Sequence, residues 1–485
     1  MAEGTSKSGI GKRSALRYLL AFMAFLLVLF LWQILNPSSD STPASMWEGS
    51  AVRDFYSQIQ TRWNKSFMEL PAEELIIITP HNDRIREKFE DAFVKYSALQ
   101  NGKRILIWWQ DVEGSNALMD QLLTGPQGRD HRIDVVFGGG VYLFRKLEEA
   151  GLLRPLTLPE DVRQAIPSEF GGLKMMDPAG FWCGNVLSGF GFLYNKTLLR
   201  QAGLQELTAW QDLGRPELFD QVELADPAVS GSAVMAFEMV LQSASDWPSG
   251  WADLLSILSN AKEFTSGSDD AANGPLFGRA AAAVCIDFYG TSRAALHPDT
   301  LEYVSPIGQT AFTPDPIAIL QDAPNPRTAE AFVNFVLSDE GQKLWGLPWD
   351  TRIPALNSPY RNPIRMDFYT EPGSKKPAGM INPYQPGATL KIDPHLRDAR
   401  YGVLVALVKA AAIDNFEAMK AARAKLIETG IDSQRLAEFN KLPEDIDTMD
   451  EIYSVSRDLQ SPARKEQIVS AWTRFFADQY NRVSQ

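Results

Sequence analysis

Cysteine is almost missing from this chain: Cys183 and Cys285 are the only two in 485 residues. That excludes a disulfide-built scaffold and a multi-cysteine zinc or iron–sulfur module. Histidine is nearly as scarce, with only His81, His131, His297 and His395, and no two of them have the spacing of a zinc pair. Basic charge is in deficit: 47 Lys and Arg face 60 Asp and Glu, a net charge of −13. A protein that grips a phosphate backbone carries a basic footprint, so general nucleic-acid binding is excluded. The motifs H-E-x-x-H, G-x-x-x-x-G-K-[ST] and G-x-S-x-G are absent, and nothing argues for an enzyme. The carboxylate pair Asp269-Asp270 lies in a polar stretch and reads as a solvated loop. No repeat in the solenoid range is visible. What is present is ordinary globular material, 45% hydrophobic and 22% charged, with length for roughly two to four domains.

One long apolar run stands apart. Leu19–Leu35 is apolar except for Gln33, and at about 1.5 Å per residue it reaches about 26 Å, near the lower end for crossing a bilayer. Lys7, Lys12, Arg13 and Arg17 precede it, and the next basic residue is Arg53. That asymmetry predicts a cytoplasmic tail (1–18), a transmembrane anchor (19–35) and a body on the extracytoplasmic side, single-pass. A cleaved signal segment is the rival reading; the run is long for one, and Leu35-Asn36-Pro37 is a poor cleavage site. Residues 1–35 carry a net +3, so subtraction from −13 leaves −16 on the remainder. Residues 36–72 read as a Pro/Ser-rich linker and an amphipathic leading helix, Met46–Phe67.

The body alternates strands and helices. Glu74–Thr79, Arg104–Trp109 and Ile133–Phe137 are short apolar runs that fit buried parallel strands. Between them, Ile85, Phe89, Phe93 and Tyr96 recur at spacings of four, four and three, a helical period, as does Ser115–Leu123. Strand, helix, strand, helix, strand implies right-handed crossovers. A second α/β unit follows Gly189, with strands at Phe190–Tyr194, Val222–Ala225 and Ala281–Phe288. Thr328–Trp345 reads as one long amphipathic helix. In such sheets ligands sit beyond the carboxyl ends of strands, which singles out the loops at Thr79–Asn82, Gln110–Ser115 and Gly138–Gly140.

Five segments in this order carry a resemblance: ITPHNDRIREKFEDAF, IDVVFGGGVYLFRKLEEAGLLRPL, GFGFLYNKTLL, LADPAVSGSAVMAFEMVLQ and AEAFVNFVLSDEGQKLW. Together, across roughly Glu73–Ile364, they resemble the extracytoplasmic solute-binding proteins of bacterial ABC importers, in the group that includes ferric-iron-binding proteins. The resemblance implies an α/β fold, the two-lobed clamp of type II periplasmic binding proteins. Lobe one takes 73–187 and 304–364, and lobe two takes 188–303, joined by crossover strands. A solute is held in the cleft, the lobes close by a hinge motion, and a membrane ABC permease receives the solute from a monomeric binding protein.

Several positions are candidates for touching ligand. Ser230-Gly231-Ser232 precedes a helix, where free amides and the helix dipole attract anions; either serine equally fits an N-cap. Gly139 and Gly140 permit close backbone approach, or simply a tight turn. Thr79, His81 and Asn82 follow the first strand, and Ser115 opens another helix; capping is the alternative for His81 and Ser115. Asp287 and Tyr289 end a strand near the place where, the resemblance implies, ferric-binding relatives carry adjacent tyrosines. Here the pair is Phe288-Tyr289. At most one of the pair remains, so if the solute is ferric iron, a replacement ligand set of His81, Asp287 and Tyr289 takes its place, since hard cations favour oxygen donors. Relatives also take phosphonates, phosphate esters, polyamines and thiamine, so an organic anion or amine is the other expectation. Trp182 and Phe190 read as core. Cys183 and Cys285 fall in different lobes, where a bond would oppose closure, and are expected as free buried thiols.

Residues 365–485 extend beyond the resemblance. Arg365–Lys391 is rich in Pro, Gly and Tyr and is expected to wrap the surface. Arg397–Ala412, Asn415–Thr429, Ser433–Asn440 and Ser461–Val483 show helical spacing. Trp472, Phe475, Phe476 and Tyr480 give the last helix an aromatic face, expected to pack on a lobe.

Overall fold

In the strand β1 (Ala72–Thr79), the side chains of Leu75, Ile77, Ile78 and Thr79 are all fully buried. This is what an apolar run without alternation produces when both sheet faces are covered. The computed structural model describes residues 68–112, 114–124, 132–349, 358–370 and 380–485, without the side chains of 114–117. The Leu19–Leu35 run and the Met46–Phe67 helix lie outside the described residues. Among the described residues no helix is long and apolar enough to cross a membrane.

β1 pairs in parallel with β2 (Arg104–Asp111) on one side and β3 (Val135–Phe137) on the other. β4 (Leu153–Arg154) follows, then the hairpin of β5 (Glu169–Phe170) and β6 (Leu173–Lys174), then β7 (Cys183–Ser188). The chain leaves this sheet at Gly189 and enters a second one at β8 (Phe190–Asn195). β9 (Val222–Ala225), β10 (Ala261–Thr265), β11 (Ala282–Ile286) and β12 (Leu301–Val304) complete that second sheet, in the order β10-β9-β11-β8-β12. Residues 305–312 return to the first sheet, where β13 (Thr313–Leu320) and the short β14 (Asn362–Pro363) finish the order β14-β7-β13-β3-β1-β2, with β4 on β13. Two crossovers therefore join two sheets, one per lobe.

β13 runs antiparallel to both β3 and β7. Its beginning, Thr313–Asp315, accordingly lies at the carboxyl ends of β1 and β3, where a parallel sheet presents its ligand loops. Gly189 sits at the first crossover with no room for a side chain: an added Cβ would come within 2.7 Å of Phe312 and 3.2 Å of the Asp287 carboxylate. Thr310 ties the crossovers together, its hydroxyl donating to the Phe190 carbonyl at 2.7 Å.

Aromatic rings fill lobe one. Phe89 packs on Trp345 at 4.6 Å, and Phe137 on Phe332 at 5.7 Å, edge to face. Trp182 and Phe190 are buried core residues. The expected helix Thr328–Trp345 is instead two, Pro326–Leu337 and Asp339–Gly346. Ser338 breaks it, adopting an extended backbone and accepting the Gly341 amide as the cap of the second piece. Asp269 and Asp270 are likewise not in a loop: they open the helix Ser268–Leu276, where acidic side chains complement the dipole.

The residues after 392 form the helices Pro394–Val408, Phe416–Glu428, Ser433–Phe439, Met449–Asp458 and Pro462–Ser484. The last buries Ile468, Trp472, Phe476, Tyr480 and Val483, a stripe at helical spacing. It packs on lobe two, with Phe476 at 5.9 Å from Trp251. Trp247 donates its indole N–H to the Ile446 carbonyl, and Arg423 reaches Asn260.

Candidate functional site

Three hydrogen-bonding groups of lobe one converge on the carboxylate of Asp315. The amides of Gly139 and Gly140 both donate to Oδ1, at 2.8 and 3.1 Å. Arg361 donates from Nη2 to Oδ2 at 3.1 Å. His81 Nε2 stands 3.6 Å from the same oxygen. The loop has this shape because Gly138, Gly139 and Gly140 take φ of +87°, +117° and +79°, values open to glycine and costly for other residues. Gly138 also leaves space for the His81 ring, which a Cβ would approach to 2.6 Å.

Burial lowers the His81 pKa below its ordinary value, against the pull of Asp315. The imidazole is therefore neutral at physiological pH. Its Nδ1 bonds the Thr79 hydroxyl at 2.9 Å, and its ring rests against Phe137 and Trp345. Burial alone would raise the Asp315 carboxyl; His81, the Arg361 charge and the Gly140 amide outweigh it and hold the group well below the usual range. Arg361 stacks over the rings of Phe288 and Trp345, at 4.7 and 5.5 Å. Tyr360, just before it, is a non-glycine residue with φ of +53°, a conformation that is uncommon for a bulky side chain.

A second cluster joins the lobes. Asp287 begins the helix after β11 in lobe two. Its Oδ2 accepts the Gly189 amide at 2.6 Å and the Asn362 side-chain amide, from β14 of lobe one, at 2.7 Å. Its Oδ1 accepts the Phe288 amide. Burial pushes this carboxyl up to about 7, with the Gly189 amide and the Arg361 charge opposing. A narrow cavity beside it is lined by Thr291, Tyr303, Ser305, Phe312 and Tyr360.

The third cluster belongs to lobe two. Ser230 caps the helix Gly231–Ser243 by accepting the Ala233 amide, and its hydroxyl meets that of Ser232 at 3.0 Å. Ser232 in turn donates to Ser268, at the start of a second helix, also at 3.0 Å. Two helix N-termini and three hydroxyls meet here. Such an arrangement offers donors and a positive dipole end to an anion.

The candidates divide by position. Gly139, Gly140 and His81 gather around Asp315, with Thr79 buried behind His81. Asn82 is turned to capping, accepting the Ile85 amide at the start of the helix Asp83–Asn101. Ser115 lies outside the described side chains. Ser230, Gly231 and Ser232 sit together in lobe two. Tyr289 is half-buried beside Phe288, under the Arg293 guanidinium, and burial raises its hydroxyl pKa. Among the described residues no group of three or more His, Cys, Asp or Glu side chains gathers to hold a metal. His81 and Asp287 bond different partners. Both cysteines are free and buried. Asp315, Arg361, Asn362 and Ser268 did not stand out in the sequence; only Ser268, in a Ser/Gly/Asp stretch before a helical pattern, carried a local signal.

Residues 110–346 match the family model described as bacterial extracellular solute-binding protein. The phosphoglycerate transport regulatory protein PgtC of Salmonella typhimurium is 30% identical over 246 residues, covering 49% of this chain and 58% of that protein. The chain thus spans a little over half the length of this curated relative. The structure of the apo ferric ion-binding protein A of Pasteurella haemolytica aligns with a TM-score of 0.52 at 15% identity, over 69% of this chain and 96% of that one. The spermidine/putrescine ABC transporter substrate-binding protein PotD of Streptococcus pneumoniae aligns with a TM-score of 0.51 at 18% identity, over 68% and 97%. At such identities the two structures establish likeness of fold. Residues 110–346 thus resemble the bacterial extracellular solute-binding proteins, and the chain carries an α/β fold similar to that of the two-lobed periplasmic binding proteins.

Proposed function

We propose that this chain is the extracytoplasmic substrate-binding component of an ABC importer, tethered through Leu19–Leu35, and that it captures a small organic anion between its lobes. The observation that carries this reading is the grip on a carboxylate in lobe one: two glycine amides and a buried arginine, at the carboxyl ends of β1 and β3. The serine cluster at two helix N-termini supplies a complementary anion site in lobe two. A solute with two anionic groups, such as a phosphorylated carboxylate, matches both. The name of the Salmonella relative supports placing phosphoglycerate first among such solutes. Ferric iron is less well supported, because Phe288 stands where a second tyrosine is expected and Asp287 is already satisfied by three donors. The protein works as a monomer, handing its solute to a membrane permease without chemical change.

The relative's name also favours a second reading, a sensing ectodomain that reports solute to a partner. Uptake of labelled solute by cells with and without the gene separates the two, since a sensor leaves the transport step itself to another protein.

The first test is thermal unfolding of the purified full-length chain against phosphoglycerate, other phosphate esters, phosphonates, ferric citrate, polyamines, thiamine and sugars. A phosphorylated carboxylate at a hundredfold excess over Kd is expected to add about 2.7 kcal/mol. A shift with ferric iron or a polyamine alone overturns the organic-anion reading.

A further inference from the structure

The lobe-one anion site is not open: the protein's own Asp315 fills it. We propose that Asp315 is an internal occupant of this nest, which the carboxylate or phosphate of an incoming solute displaces in order to bind there. The inference rests on the anion-binding reading above and adds to it a competitor built into the chain.

Four features support it. First, the donors outnumber what Asp315 uses. Arg361 Nε has no hydrogen-bond partner among the described residues, although the residue is only 5% exposed. A buried donor without a partner is costly, and a phosphate, with more oxygens than a carboxylate, has an acceptor to spare for it. Second, the donors are fixed. The glycine amides are set by three positive φ angles, and Arg361 is held between aromatic rings and by the Ser188 hydroxyl at 3.1 Å. Third, Asp315 is the member with access to water: its side chain is 18% exposed, against 6% for Arg361 and 4% for His81. Fourth, the exchange needs no backbone movement. β13 holds the Asp315 main chain by pairing with β7, and the Asn185 side chain donates to its carbonyl at 2.6 Å. Only the side chain has to rotate outward, and its charge then passes to solvent.

The consequence is a tuned affinity. A site that is self-occupied most of the time binds more weakly by the fraction that is free. It also discriminates: a neutral solute cannot satisfy the two amides and Arg361 that Asp315 gives up, so only an anion repays the exchange.

The test compares full-length wild type with Asp315→Ala and the near-isosteric Asp315→Asn, using inorganic phosphate and formate as probes in calorimetric titration and thermal unfolding. Both variants are expected to bind phosphate at least tenfold more tightly than wild type, and formate is expected to restore the stability of Asp315→Ala with saturation. Adding Arg361→Gln to Asp315→Ala is expected to abolish the gain. Folded variants that bind phosphate no better than wild type overturn the proposal. Should neither variant fold, the Gly139 and Gly140 amide resonances of wild type decide: movement on titration with phosphate supports displacement, and no movement at saturation overturns it. The two readings fail separately. Gain of phosphate binding in the variants, with no organic anion binding wild type, keeps the internal occupant and removes the proposed solute class. An organic anion bound equally by wild type and Asp315→Asn does the reverse.

Discussion

The Arg400 guanidinium donates to the Glu238 carboxylate at 2.7 Å, with both side chains at most 4% exposed. Glu238 lies on the helix that begins at Ser232's cluster, and Arg400 on the first helix of the C-terminal extension. This buried pair joins the extension to lobe two behind the candidate anion site. Burial raises the Glu238 pKa while Arg400 and Gln242 oppose it. Removing one partner leaves a buried charge unpaired. Arg400→Met is expected to cost about 3–5 kcal/mol, and adding Glu238→Leu to recover most of it. Urea unfolding of the single and double variants checks this; equal loss in both contradicts it.

The extension also touches lobe one. Arg145, on the helix following the glycine loop, pairs with Asp398 at 2.5 Å, with the two side chains 38% and 35% exposed. Screening limits such a pair to about 1 kcal/mol at most. Asp398→Asn is therefore expected to change stability only slightly, by an amount that shrinks further in high salt. A loss above about 2 kcal/mol contradicts an exposed pair of this kind.

Asp287 makes stability depend on pH. Burial sets its folded pKa to about 7, above the usual carboxyl value of about 3.9. The folded state therefore holds the proton more tightly than the unfolded chain. This contribution is fully present below about pH 4 and is lost as pH rises through about 7. The stability of wild type relative to Asp287→Asn is expected to fall across that window. A difference that stays flat from about pH 4 to 8 contradicts it.

Burial pushes the thiols of Cys183 and Cys285 up to about 12. Reaction needs the thiolate and access to it. The native protein is expected to be inert to a thiol-disulfide reagent at neutral pH, and to release two equivalents on unfolding. No release on unfolding would mean a disulfide.

ELIIIT was legible because a covered strand needs an unbroken apolar run, whereas RILIWW, expected as a buried strand, forms the sheet edge and leaves Leu106 and Trp108 exposed. The final helix was equally plain, since Trp472, Phe476 and Tyr480 repeat every four residues. The break at Ser338 was less visible: one serine outweighed a continuous apolar stripe because its extended backbone restarts the helix with its own cap. The glycine loop and Ser230–Ser232 could be read from local pattern plus the rule on strand ends. Asp315 and Arg361 could not. They come from segments 176 and 222 residues beyond Gly139 in the chain, and only the antiparallel placement of β13 beside β3 brings Asp315 to the glycine amides. Charge complementarity between such distant residues leaves no periodicity to detect.

Equilibrium titration of the full-length wild-type protein with phosphoglycerate, followed by calorimetry and small-angle scattering, tests the central claim most directly. Saturable binding to one site, with a fall in radius of gyration and at least tenfold weaker binding in Ser232→Ala, is the predicted result. Saturable binding of ferric citrate or a polyamine instead, with no response to phosphoglycerate or any other organic anion, contradicts it.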